Sequence, residues 1–214
     1  FWLKFAQPHM RRVRQLLRTI MSSKRKVFLI RHGRTEMNEW MASNPSSHED
    51  PGFKDTILTP AGEEGARKLA EVAPEVDVVL ASPLRRTLQT ACLAYPNAPI
   101  LAFPLAAERR WHSSDEGTPV EELEEQFPQV DFSLVKETPY PWFHEGSKEP
   151  VPQFVERMCA FREALATREE EKVAVVCHWG VIQSLLNVSA ANCEVVETSL
   201  DDMNPAPNQI GAWD

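Results

Sequence analysis

Two uninterrupted apolar runs, Lys26 to Arg31 and Lys172 to Cys177, dominate the hydrophobic pattern of the chain. Runs of this length without polar alternation predict strands buried on both faces, as in parallel sheets covered by helices. Val76 to Leu80 predicts a second strand, Pro99 to Phe103 a short third, and Cys193 to Leu200 a last one. Between them the period changes. Thr59 followed by Pro60 is a cap and first-turn signal for a helix ending near Ala73, before Pro74. Ser82 and Pro83 repeat that signal for a helix running towards Tyr95. Thr118-Pro119-Val120-Glu121 has the form of a capping box opening a brief acidic helix. Gln153 to Arg168 places Phe154, Met158, Phe161 and Leu165 on one helical face, and Val181 to Leu186 predicts a final helix. Residues 42 to 56 are rich in Asn, Pro and Ser and predict a long loop. Residues 128 to 152 carry prolines and aromatics without a period, which predicts a partly ordered insertion over the sheet edge. The strand-helix alternation predicts an α/β fold, a three-layer α/β/α sandwich around a mostly parallel sheet.

Composition narrows this picture. The 214 residues, 43% hydrophobic, suffice for one domain with a substantial core. No run approaches the roughly 20 apolar residues of a membrane span, so no membrane association is expected. The net charge of −8 is unevenly spread: residues 1–26 hold eight Lys or Arg and no acid. The remainder is strongly acidic, which argues against a nucleic-acid partner. The organisation expected is a basic extension over residues 1–25, a domain over 26–200 and a frayed tail over 201–214. The extension, with Arg11, Arg12, Arg14 and Arg18 among apolar residues, is similar to an organelle transit peptide. It reads equally as a basic surface helix, or as sequence upstream of a start at Met21. Cys92, Cys159, Cys177 and Cys193 lie 67, 18 and 16 residues apart, which fits neither a zinc site nor a disulfide framework. They are expected to be reduced core thiols, in a cytoplasmic protein or, if the extension is a transit peptide, in a mitochondrion or plastid.

The candidate chemistry lies where strands end. Arg31-His32-Gly33 follows the first apolar run, and Cys177-His178-Trp179-Gly180 closes the other. Open α/β sheets bind ligands at the carboxyl ends of their strands, so two histidines there point to one site. A histidine serves as nucleophile or base, and an arginine beside it forks onto phosphate. Arg85 and Arg86 follow a third strand at a helix start, where free backbone amides also attract anions. Adjacent helical residues diverge by about 100°, so only one of the two should face the site. His9, His48, His112 and His144 lack ligand spacing and are expected at the surface.

These motifs, with Leu58-Thr59-Pro60-Ala61-Gly62, Ser82-Pro83-Leu84-Arg85-Arg86-Thr87 and Asn38, resemble the histidine phosphatase superfamily, the phosphoglycerate-mutase-like proteins, across residues 26–200. The resemblance implies a phosphoglycerate-mutase-like fold, with His32 as the nucleophile that becomes phosphohistidine and Arg31, Asn38 and Arg86 as phosphate ligands. It implies His178 as the second histidine and Glu108 as the acid, although Glu116, Glu121 and Glu122 lie nearby. Trp179 departs from the glycine many members carry after the second histidine. Leu105 stands three residues before Glu108, where many phosphatases have two. The expected activity is hydrolysis of a small phosphorylated metabolite without metal or cofactor. A phosphoglycerate mutase and an inactive protein-binding relative are the alternatives.

Overall fold

The structure, a computed structural model, describes residues 25–45, 49–137 and 148–206. The extension up to residue 24, His9, His48, His144 and the last eight residues of the tail lie outside the described residues. In chain order the elements are β1 (Lys26–Arg31), α1 (Glu36–Ser43), α2 (Pro60–Val72), β2 (Val78–Ala81), α3 (Arg85–Ala94), β3 (Ile100–Ala102), α4 (Val120–Gln126), β4 (Val130–Asp131), α5 (Ser133–Glu137), α6 (Val151–Thr167), β5 (Lys172–Cys177), α7 (Trp179–Leu186) and β6 (Val195–Thr198). The sheet order is β4-β3-β2-β5-β1-β6. Only β6 runs antiparallel to its neighbour, β1.

The apolar strands are buried on both faces because successive side chains alternate across the sheet. Val27, Leu29, Val78, Leu80, Val173 and Val175 pack with Phe154, Met158, Phe161 and Leu165 of α6 and with Val181, Ile182 and Leu185 of α7. Ile30, Val79, Ala81, Ala174 and Val176 pack on the other face with Leu69 of α2, with Leu88, Ala91 and Ala94 of α3, and with Leu123 of α4. The result is the expected three-layer α/β architecture. From β1 the chain steps past β5 to reach β2, whereas from β5 it steps past β1 to reach β6. These opposite departures make the carboxyl ends of β1 and β5 a topological switch point, where a crevice opens above the sheet.

Several local expectations change. Thr118 does not cap α4: its hydroxyl donates to Asp55 Oδ2 at 2.7 Å, and Pro119 occupies the cap position without a side-chain bond. Ser82 lies two residues too early to cap α3, which begins after Leu84. The capping role passes to Asp55, whose Oδ1 accepts from Arg85 N at 2.9 Å. Within 128–152, β4 and α5 are regular, and Val130, Phe132 and Val135 are buried, so that part belongs to the core. The tail packs as far as Met203, which is buried, and Asn204 N donates to Leu185 O at 2.9 Å. Of the four free cysteines only Cys177 is a core thiol, and Cys159 is exposed on α6.

Candidate active site

The β1–β5 register sets the two histidines side by side. Arg31 is paired with Cys177, His32 N donates to Cys177 O at 3.0 Å, and the ring centroids of His32 and His178 lie 5.2 Å apart. The turn after β1 is wedged against the start of α2. A Cβ on Gly62 would stand 2.0 Å from Arg34 O, and one on Gly33 2.7 Å from Gly62 O. Thr59 N also donates to Arg34 O at 2.9 Å. The Leu58–Gly62 motif therefore acts at a distance, by holding the turn that carries His32.

His32 is buried, and its Nδ1 donates to Gly33 O at 2.7 Å. That bond fixes the tautomer and leaves Nε2 with its lone pair. Burial, then the charges of Arg86 and Arg31, hold this imidazole well below its ordinary pKa, so it is neutral near pH 7. His178 is fully buried behind it and is likewise held low by burial and by Arg86. Its Nε2 meets Ser82 Oγ at 2.8 Å, while Nδ1 has no partner among the described residues.

A cavity of about 330 Å³ opens over His32, within the usual range for small-molecule sites. Arg31, Asn38, Arg86 and Glu108 line it together with His32. Arg31 is anchored through Nη1 to Ala190 O at 2.8 Å, and its Nε has no partner among the described residues. Arg86 faces the cavity and Arg85 does not line it, as the helical divergence of the pair requires. The Arg86 guanidinium donates to Ser114 O at 2.6 Å and to Asp115 Oδ1 at 3.0 Å, which fixes its plane and leaves other N–H groups for an anion. Asn38 sits in a capping box with Thr35: its Oδ1 accepts from Thr35 N at 3.1 Å and from Asn192 Nδ2 at 3.2 Å. With its oxygen engaged, the Asn38 amide nitrogen is the group left to donate.

Glu108 meets the first turn of α7. Its Oε2 accepts from Gly180 N at 3.1 Å and its Oε1 from Arg109 N at 2.8 Å. Burial and the nearby Asp115 charge raise this carboxyl to about 7, outweighing the two amide donors and Arg86. Gly180 is required for the approach, because a Cβ there would lie 2.3 Å from Glu108 Oε1. Glu121 and Glu122 lie on α4 and do not line the cavity, nor does Glu116. His112, expected at the surface, is half-buried and lines the cavity.

Four residues that sequence reasoning missed support this arrangement. Asp115 pairs with Arg86 and accepts from Trp111 N at 3.1 Å and His112 N at 3.0 Å, so one carboxylate ties a cavity-facing arginine to the cavity wall. Asn192 donates to His32 O at 2.9 Å as well as to Asn38. Arg157 of α6 is buried and donates to Leu105 O, Ala107 O and Glu108 O at 2.9, 2.7 and 3.2 Å, with Glu149 as its ion-pair partner at 2.6 Å. Asp55 joins the loop at 49–56 to α3 and to Thr118. The only sequence signal for any of them was Arg157 itself, one residue before Met158 on an otherwise apolar face.

Comparison with known proteins agrees with the fold. The profile of the Histidine phosphatase superfamily (branch 1) matches residues 27–197. A phosphoglycerate mutase-like protein of Arabidopsis thaliana is 25% identical over 204 residues, spanning 78% of this chain and 75% of that protein. A protein named as a probable phosphatase in Schizosaccharomyces pombe is 26% identical over 164 residues, spanning 71% and 73%. In fold, an open reading frame product of Mycobacterium tuberculosis matches with a TM-score of 0.53 at 23% identity, over 80% of this chain and 89% of that one.

Proposed function

The chain belongs to the histidine phosphatase superfamily, and on that footing we propose that it hydrolyses a phosphomonoester through a phosphohistidine at His32. The observation that carries this reading is the pairing of opposite protonation states in one cavity. His32 is neutral with a free Nε2, while Glu108, raised to about 7, keeps its proton in about half of the molecules at neutral pH. Those are the states required of a nucleophile and of an acid facing a poor leaving group.

In the first step His32 Nε2 attacks phosphorus, the bond from phosphorus to the ester oxygen breaks, and Glu108 delivers its proton to the departing alkoxide. Arg31, Arg86 and the Asn38 amide donate to the phosphoryl oxygens, where charge gathers in the transition state. His178 does not line the cavity: held neutral behind His32, it supports that ring from a centroid distance of 5.2 Å rather than supplying a charge to the phosphate. In the second step Glu108, now a carboxylate, takes a proton from the water that attacks the phosphohistidine. Phosphate leaves, His32 is regenerated and Glu108 is again protonated.

A phosphoglycerate mutase shares the first step but must grip the substrate carboxylate and keep water from the phosphoenzyme. Arg109, a further guanidinium at the cavity, donates from Nε to Glu149 O at 2.9 Å and lies over Trp111 with 5.0 Å to the ring centroid. The relative named as a probable phosphatase supports the hydrolytic reading, and the tuned pair of His32 and Glu108 favours an enzyme over an inactive binding relative. The test is a metal-free panel of phosphomonoesters with wild type and His32→Ala, a mutase assay, and trapping of labelled phosphate. Acid-labile, base-stable label on wild type and none on His32→Ala is expected. Equal hydrolysis by the two proteins would overturn the assignment.

A further inference from the structure

Beyond the groups that face the phosphate, the cavity wall is built from a different kind of residue. Met37 and Met41, one helical turn apart on α1, line it together with Trp111 and Trp179. The Trp179 indole N–H donates to Ser189 Oγ at 2.9 Å, so its polar edge is turned to the protein. Trp111 is held by Lys148, whose Nζ lies 3.5 Å from the ring centroid, and by Arg109. A ring so clamped is a preorganised surface, whereas the two flexible thioethers adapt to the shape of what they cover. Among the polar positions of this wall, Thr56 Oγ1 is buried and has no partner among the described residues.

We propose that the phosphate taken by this site is carried on an apolar, ring-bearing alcohol rather than on a polyol or a carboxylate. The proposal rests on the hydrolytic reading above and specifies its leaving group. A sugar or glycerate presents a hydroxyl or carboxylate at nearly every carbon, and each needs a partner once water is removed. The remaining polar positions of this wall are Thr35, Thr56, His112, Ser114, Arg109 and Asp115; Thr35 is committed to Asn38, Asp115 to Arg86, and Arg109 holds the Glu149 carbonyl through Nε. A flat hydrocarbon would meet the tryptophans and methionines of this lining without polar groups of its own to satisfy, and Thr56 can meet a single polar substituent.

The experiment compares 2-phenylethyl phosphate with sn-glycerol 3-phosphate, both alkyl esters that need the same protonation of the leaving oxygen. It also measures binding of 2-phenylethylphosphonate and ethylphosphonate, which cannot be hydrolysed, through tryptophan fluorescence. The expected kcat/KM preference for the phenyl ester is at least about tenfold, the discrimination that small apolar differences produce in a hydrophobic pocket. The phosphonates should differ in Kd by a similar factor. Met41→Ser and Trp179→Ala, each checked for an unchanged fold by circular dichroism and melting, should shrink both ratios at least threefold. Preference for glycerol phosphate or 3-phosphoglycerate, or ratios that neither variant changes, would overturn the proposal. Selective phosphonate binding without hydrolysis of any ester would instead sink the hydrolytic reading while supporting the ligand class.

Discussion

Gly180→Ala adds one methyl group at the second position of α7, and the structure specifies what that group meets. Its Cβ would lie 2.3 Å from Glu108 Oε1, about 1 Å inside ordinary contact, and the atom in the way is the far end of a flexible side chain. The carboxyl must therefore move, and it must release at least one of its two amide donors, Gly180 N or Arg109 N, to do so. The helix itself has no reason to resist, since alanine in place of glycine favours a helix by up to about 1 kcal/mol. A displacement near 1 Å costs a positioned catalytic group about 10²-fold, and losing a general acid altogether costs about 10²–10⁴-fold. The expected result is a fall in kcat/KM of about 10²–10³ on an alkyl phosphate, with the melting temperature unchanged or slightly higher. On 4-nitrophenyl phosphate, whose leaving group needs no proton, the fall should stay below about tenfold. The kcat/KM value reads the step that forms the phosphoenzyme, so a slow second step does not blur the comparison. Alkyl-phosphate activity within threefold of wild type in a folded variant would refute the assignment of Glu108 as the acid.

Three further outcomes follow from the same geometry. If Glu108, raised to about 7, is the acid as proposed, kcat/KM on alkyl phosphates should fall as pH rises through about 7, and Asp115→Asn, which removes a charge that raises Glu108, should move that limb to lower pH. The same shift has a sign for stability: a carboxyl raised from 4.5 to about 7 on folding lowers stability as pH climbs across that interval. Glu108→Gln should accordingly raise the melting temperature at pH 8.5 and leave it unchanged at pH 4; an equal shift at both would contradict the burial argument. Glu149→Ala leaves the buried Arg157 charge unpaired and should cost roughly 3–5 kcal/mol, or about 10 °C in Tm, measured by thermal denaturation. A loss under about 1 kcal/mol would show that the pair does not support the segment carrying Glu108.

Elements whose cause is local were legible in the sequence. β1 and β5 match their apolar runs residue for residue, because burial on both faces leaves a pattern that nothing else in the chain imitates. Thr59 and Pro60 likewise start α2 where their types require. What escaped depends on partners far along the chain. Thr118 had the sequence of a cap but bonds Asp55, 63 residues away, and Asp55 in turn caps a helix to which it does not belong. The Thr35–Asn38 capping box was overlooked because Asn replaces the usual Glu or Gln. The crevice was legible where motifs mark strand ends, as at Arg31, His32 and His178, which the structure brings together. It was illegible where residues act through others: Asp115 looked like one acid among many, and Asn192 like a loop amide.

The position of β5 between β2 and β1 has a consequence for how this protein comes into being. The strand that brings His178 to His32 is laid down about 145 residues after its partner, as the Lys26–Lys172 pairing shows, so the site depends on one of the most distant contacts in the chain. Such contacts form late, once their loop-closure entropy is offset by the rest of the fold. Until β5 inserts, β1 and β2 face each other across a one-strand gap with unpaired edges, the condition in which nascent sheets recruit strands from neighbouring molecules. The activity proposed for this site, appearing in a growing or refolding chain, would therefore signal that the central gap in the sheet has closed.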